Sequence, residues 1–191
     1  MRWSELRDAL PDLTPVEGGY TSARRGLLSL PDGQVVFVKA GVDETTRRWA
    51  RKEVAVYRFL EKQGYPYCPE ILAAGEDGFA LEVLRDGWDW TETWTVARVD
   101  ETIQAMDALA AIRPAGADHE FFQQKATDET DDGWRPLADS PESQQALLAK
   151  VSGVDLDFGL MADRSARFRF NDDVLVHNDV RADNCAWHEQ R

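Results

Sequence analysis

The chain has 191 residues, 43% of them hydrophobic and 30% charged, with a formal net charge of −13. That length is enough to bury a real core in one domain or two small lobes, and the composition excludes a disordered or fibrous chain. The charge argues against non-specific binding to nucleic acid or an anionic membrane, and no apolar run approaches a bilayer span.

The opening stretch MRWSELRDALPDL lacks the apolar segment of a signal peptide. After it, EGGYTSARRGLLSL leads through Gly18 and Gly19 into a strand ending at Leu27, Leu28 and Leu30. Pro31, Asp32 and Gly33 are turn residues, with Gly33 free to take positive φ, and QVVFVKA is a second strand, so the pair reads as a hairpin. A helix is expected over 43–63, with acidic residues early and Gly64 as its stop. EILAAGEDGFALEVL reads as two short strands around the turn at 76–78, and RDGWDW at 85–90 breaks the pattern as a hinge or linker.

Beyond it, residues 94–113 have helical periodicity, placing Val96, Val99, Ile103, Met106, Leu109, Ala110 and Ile112 on one broad face. Residues 114–140 are polar and acidic and are expected to be irregular; a shorter helix starts at Pro141, and RFRFNDDVLV leads as a strand into His177. Strands followed by helices point to an α+β fold in two lobes. Two cysteines, Cys68 and Cys185, have no framework spacing, so a reduced, cytoplasmic setting is expected. Cys185, His177 and His188 lie close in sequence, but a zinc site needs a further ligand that the chain does not offer nearby.

Period-2 alternation in VVFVKA puts Val35, Phe37 and Lys39 on one face and Val36 and Val38 on the other. Lys39 is then either a charge guarding an edge strand or an inward cation with a partner. On the following helix Trp49, Glu53, Val56 and Leu60 share the face expected to be buried. The neighbours of Glu53 at i±3 and i±4 are Ala50, Val56, Trp49 and Tyr57, none of which neutralises a carboxylate. Lys39, from the adjacent strand, is the economical partner.

In VLVHNDVRADNCAW, Asp179 follows an apolar run, Arg181 comes two residues later and Asn184 five. An Asp that accepts a hydroxyl proton, an Arg for a transferring phosphoryl group and an Asn amide oxygen for a divalent metal form a set that phosphoryl transfer uses.

HNDVRADN resembles the H-G-D-x-x-x-x-N catalytic loop of the aminoglycoside phosphotransferase and choline kinase-like family, within the protein-kinase-like fold. The likeness extends upstream in the same order. GGYTSARRGLLSLPDGQVVFVKAG is similar to the nucleotide-covering hairpin and Lys strand, ARKEVAVYRFLEKQG to the helix carrying the Lys-pairing Glu, and FALEVLRDG to the strand entering the hinge. The resemblance implies an amino-terminal lobe over 1–84, a hinge at 85–90 and a partial helical lobe over 91–191. It implies ATP and Mg²⁺ as cofactors. Lys39 would contact the α/β-phosphates with Glu53 positioning it, and Gly18, Gly19, Tyr20, Thr21 and Ser22 would cover the phosphates. Backbone at Glu82, Val83 and Leu84 would meet the adenine. Asp179 would orient or deprotonate the acceptor hydroxyl, Asn184 would bind the metal, and His177 would brace the loop.

Three departures accompany the likeness. No G-x-G-x-x-G is present, Asn178 stands where the family has Gly, and only seven residues follow Asn184, where the family's second metal-binding Asp lies further on. The D-F-G at 157–159 precedes the loop and is expected to be loop or helix-end chemistry. The chain therefore reads as an incomplete member of the family with weak or no turnover. Its activity is expected to be transfer of the γ-phosphate of ATP to a hydroxyl of a small molecule. The alternatives are a non-catalytic, pseudokinase-like nucleotide-binding module and an ordinary α+β interaction domain. The acidic run at 127–132 fits a cationic acceptor such as an aminoglycoside, and equally a solvated loop. Oligomeric state is left open by the sequence.

Overall fold

The computed structural model describes residues 1–16, 21–85, 87–90, 93–128, 134–149, 156–167, 174–177 and 179–188, with backbone alone at 123–128 and 182. Within them the fold is mixed α+β. Two compact units form: Met1–Leu109 with Val176–Arg191, and Ala110–Leu175.

The first unit is organised by an antiparallel sheet of five strands: β1 (Thr14–Pro15), β2 (Arg24–Ser29), β3 (Val35–Ala40), β4 (Ile71–Ala74) and β5 (Gly78–Glu82). Their order is β1-β2-β3-β5-β4. The β2–β3 hairpin closes as its turn residues require. Gly33 takes φ 85°, the Gly33 N–H donates to the Leu30 carbonyl at 2.9 Å, and the Asp32 carboxylate accepts from the Gln34 N–H at 3.0 Å.

Helix α1 (Trp3–Asp8) covers one face of the sheet, its Trp3 and Leu6 packed with Leu28, Val36, Val38, Ala40, Ala73 and Ala80. The Trp3 indole also donates to the Asp77 carboxylate at 2.6 Å. Its ring lies so close to Gly75 and Gly78 that a Cβ there would sit 1.9 and 2.4 Å from ring atoms, which makes glycine obligatory at both. The i, i+3 spacing of Trp3 and Leu6 before Pro11 was the available signal for this helix, which the sequence reading left unassigned.

Helix α2 (Glu44–Gln63) covers the other face, with Ala50 packed on Ile71, Phe79 and Leu81 and with Phe37, Val54 and Tyr57 beside them. Asp43 caps it, accepting from the Thr46 N–H at 2.7 Å, and Gly64 ends it in the left-handed region at φ 67°. These bounds match the expected 43–63. Its inward residues are Thr46, Ala50, Phe59 and Leu60, whereas Trp49, expected to be buried, is 40% exposed. Strands β3 and β5 are thus covered on both sides, and β5 accordingly reads as an unbroken apolar run rather than an alternating one.

After β5 the chain makes a two-residue strand, β6 (Trp88–Asp89), and helix α3 (Val96–Ala111). Only Leu109 of α3 is buried; Val96 is 80% exposed and Ile103 52%, so the broad apolar face expected there is uncovered over its first two turns. The Tyr65 hydroxyl donates to the Ala105 carbonyl at 3.1 Å and seats the second half of the helix. Burial, then the Cys68 and Tyr67 side chains, pushes that phenol up to about 12.

The second unit contains α4 (Ala117–Asp128), α5 (Trp134–Ala138), α6 (Pro141–Leu148) and α7 (Phe158–Arg167). The expectation of irregular structure over 114–140 is therefore corrected: α4 is helical despite its low apolar content, and α5 adds a short helix around Trp134 and Leu137. Asp157 caps α7, accepting from the Leu160 N–H at 2.8 Å, so the D-F-G at 157–159 is a helix start. Residues 129–133 and 168–173, with most of the acidic run and the first part of the expected last strand, lie outside the described residues. Residues 174–176 form no strand, and Val176 is 53% exposed.

The compact division differs from the expected 1–84, 85–90 and 91–191. The reason is a ladder near the end of the chain: β7 (Trp187–His188) pairs antiparallel with β6, returning residues from 176 onward to the first unit.

Trp3→Ala is expected to cost about 3–5 kcal/mol, the range for deleting a buried large aromatic. Trp49→Ala, at a half-open site, should cost under about 1 kcal/mol. Urea unfolding of both variants checks the contrast, and equal midpoints would contradict the two-sided core.

Candidate functional site

Lys39 stands on β3, opposite Phe79 of β5, on the face that α2 covers. Two turns into α2, Glu53 meets it: Lys39 Nζ is 2.6 Å from Oε1 and 2.9 Å from Oε2. The sequence required this partner, because nothing within a helical turn of Glu53 neutralises it. The lysine and glutamate side chains are 21% and 36% exposed. So open a pair contributes at most about 1 kcal/mol, which makes stability a weak reason for placing two charges beside an apolar core. Tyr57, one turn further on α2, forms the apolar wall, its ring 5.7 Å from Phe79. Burial first, and then the Glu53 carboxylate, holds its phenol far above the ordinary range.

The second group lies in the loop before β7. His177 Nδ1 accepts the Asp179 N–H at 3.2 Å. A single 3₁₀ turn, Ala182–Asn184, brings the Asn184 amide back onto Asp179: Nδ2 donates to the backbone carbonyl at 3.0 Å and to Oδ2 at 2.8 Å. With the amide nitrogen so committed, Oδ1 of Asn184 is the atom suited to a hard cation, since Asp179 Oδ2 accepts the amide and its Oδ1 faces Arg181 Nε at 3.5 Å. One amide oxygen fits Mg²⁺ as a single ligand, the other positions being ones that water and phosphate oxygens commonly fill. Among the described residues no group of three or more His, Cys, Asp and Glu side chains is placed to hold a metal, and His188 instead stacks on Trp88, ring centroids 5.1 Å apart.

Arg181 is turned to carboxylates rather than presented alone. It grips Asp183 through Nε at 2.9 Å and a terminal nitrogen at 2.6 Å, and lies 3.5 Å from Asp179. The guanidinium's hydrogen bonds hold the Asp183 carboxyl below the usual range.

At the end of β5, the Glu82 N–H donates to the Glu70 carbonyl and its carboxylate accepts the Glu70 N–H, both at 3.0 Å. Val83 and Leu84 continue beyond the strand, and the Leu84 carbonyl accepts the Trp90 indole N–H at 3.2 Å. Thr21 accepts from Arg25 through its carbonyl at 2.6 Å, while the Ser22 hydroxyl donates to Asp43 at 3.2 Å. Gly18, Gly19 and Tyr20, like Asn178, lie outside the described residues.

The structure thus assembles Lys39 with Glu53 and Asp179 with Asn184 and His177, all in the first compact unit. An open depression beside β1, lined by Leu13, Pro15, Ala23 and Arg24, holds none of the expected site residues. What the sequence reading missed is the tie between the two ends of the unit, β6 to β7. Gly87, at φ 91°, lies so near that a Cβ there would be 2.6 Å from His188 Nε2. Trp88, Trp90, Trp94 and Trp187, four of the seven tryptophans, were the available signal.

No family model, curated protein or solved structure matches the chain.

Arg181→Met should return the Asp183 carboxyl toward its ordinary range, read by side-chain ¹³C titration. The sign follows from the lowered folded value: the pair's contribution is fully present above the unfolded carboxyl value and is lost as pH falls through the folded one. An unchanged Asp183 titration in the variant would contradict the pairing.

Proposed function

We propose that this chain handles nucleotide as an ATP-dependent small-molecule phosphotransferase of protein-kinase-like, two-lobe architecture. The observation that carries the reading is the Lys39–Glu53 pair, an ammonium aimed by a carboxylate on a second element. Asp179 and Asn184, hydrogen-bonded in one loop at the spacing the reaction uses, support it. In this reading Lys39 binds the α/β-phosphate oxygens and Glu53 fixes its direction. The backbone of Glu82, Val83 and Leu84 receives the adenine edge, and Thr21 and Ser22 belong to the covering hairpin.

Asp179 accepts the proton of the acceptor hydroxyl as that oxygen bonds to the γ-phosphorus. The bond from phosphorus to the bridging oxygen breaks, and ADP leaves with the electron pair. Mg²⁺, when bound, would supply charge neutralisation on the phosphates, with Asn184 Oδ1 as the protein oxygen that would hold it and the Asp179 carboxylate left free to act as base. His177 keeps the Asp179 backbone in place. The acceptor is a small hydroxyl compound, and the net charge of −13 favours a cationic one.

One contact favours a second reading, a nucleotide-binding module without turnover. Arg181 is held by Asp183, and must exchange that carboxylate for a phosphoryl group to take part in transfer.

MgATP at about a hundred times its Kd should stabilise the chain by about 2.7 kcal/mol, seen as a rise in melting temperature, and Lys39→Met should lose most of that rise. ADP release with a panel of amino sugars and amino alcohols tests transfer. Asp179→Ala should abolish it while leaving the melting temperature of the free protein unchanged. Binding without ADP release supports the second reading, and no stabilisation by nucleotide defeats both.

A further inference from the structure

Arg98, in the first turn of α3, touches both members of one rung of the β6–β7 ladder. Asp89 and Trp187 are the paired residues of that rung. The guanidinium forms an ion pair with the Asp89 carboxylate, and its carbon lies 4.9 Å from the centroid of the Trp187 ring. A third contact goes to the Thr93 carbonyl at 2.9 Å. Trp94 packs edge-on against the same Trp187 ring at 5.3 Å. The cluster is well enclosed, with Trp187 8% exposed and the Arg98 side chain 19%.

Two-residue ladders are not self-supporting, since even isolated hairpins are marginal in water. This one carries a particular load, because Trp187 comes three residues after Asn184, at the exit of the loop that holds Asp179. At its other end the described loop meets an exposed stretch, Val176 and His177. The rung at Asp89 and Trp187, closed by Arg98, is therefore the fixed point from which the Asp179–Asn184 loop is hung.

We propose that Arg98 is a positioning residue: by clamping Asp89 and Trp187 it holds the Asp179–Asn184 loop against the segment that follows β5. The inference rests on the phosphotransferase reading for what the loop does, and on geometry alone for the clamp. An arginine suits the place better than a lysine. Its central carbon lies over the indole while its fork reaches a carboxylate and a carbonyl, which a single ammonium cannot do.

Amide hydrogen exchange on the 191-residue chain tests the clamp. Arg98→Met should speed exchange at 179–188 by roughly tenfold or more while β3 and β5 keep their protection. Arg98→Lys should restore part of it, and Asp89→Asn, which leaves the arginine over Trp187, should fall between. Unchanged exchange at 179–188, or protection lost equally across β3 and β5, overturns the proposal. Nucleotide affinity supplies the second readout. Arg98→Met should weaken MgATP binding by roughly tenfold while binding of ATP without metal stays within about twofold, because only the Asn184 end is displaced. In a wild-type chain that binds ATP, accelerated exchange with unchanged MgATP affinity overturns the positioning role. A wild-type chain that binds no nucleotide defeats the phosphotransferase reading instead, and faster local exchange in Arg98→Met still supports the clamp.

Discussion

The constraint behind the first compact unit is that its central strands are covered on both faces. Helix α1 seals one side of β3 and β5, and α2 seals the other. A charge on such a strand must be met, since stranding it beside an apolar core costs several kcal/mol. Lys39 is that charge, the only one on β3, and Glu53 is its answer. The pair adds little to stability by itself. What the burial does is narrow its freedom: the ammonium leaves a strand fixed by ladders on both sides, and the carboxylate leaves a helix fixed by a cap at each end.

The second half of the site is built on a different footing. Asp179, Asn184 and His177 are exposed, and the loop takes its shape from its own hydrogen bonds. Its anchorage comes from outside, through β7 on β6 and the aromatic and arginine side chains around that rung. In the proposed reading, the strand-and-helix pair holds the nucleotide while the loop meets the acceptor that is exchanged.

Much of this was legible in advance, for physical reasons. The hairpin turn, the bounds of α2 and the turn before β5 follow from glycine, proline and capping chemistry, which is local. Glu53 and Lys39 were matched because a carboxylate without helical partners demands a cation from another element. The failures are equally physical. Trp49 sits at helical spacing from Glu53 yet faces out, since Ala50, Val54 and Tyr57 are what the sheet receives. The α4 segment forms a helix although its polar composition carries almost no amphipathic signal, and α5 is too short, at five residues, to show one. The β6–β7 ladder is two residues long and pairs positions about a hundred apart, beyond what any local pattern reports. Trp187 was read as the tail of a motif rather than as the residue that moors it.

The seating of the Trp3 indole has a consequence beyond packing. Its ring lies over Gly75 and Gly78, and Gly78 also abuts the Lys39 carbonyl. If the β4–β5 hairpin slid by one position, Asp77 or Phe79 would arrive where only a hydrogen atom fits. The indole therefore works as a gauge that admits one alignment of that hairpin. Because β5 lies against β3, the same gauge keeps Phe79 opposite Lys39. A ring near the start of the chain thereby sets the register of the strand that lies beside Lys39.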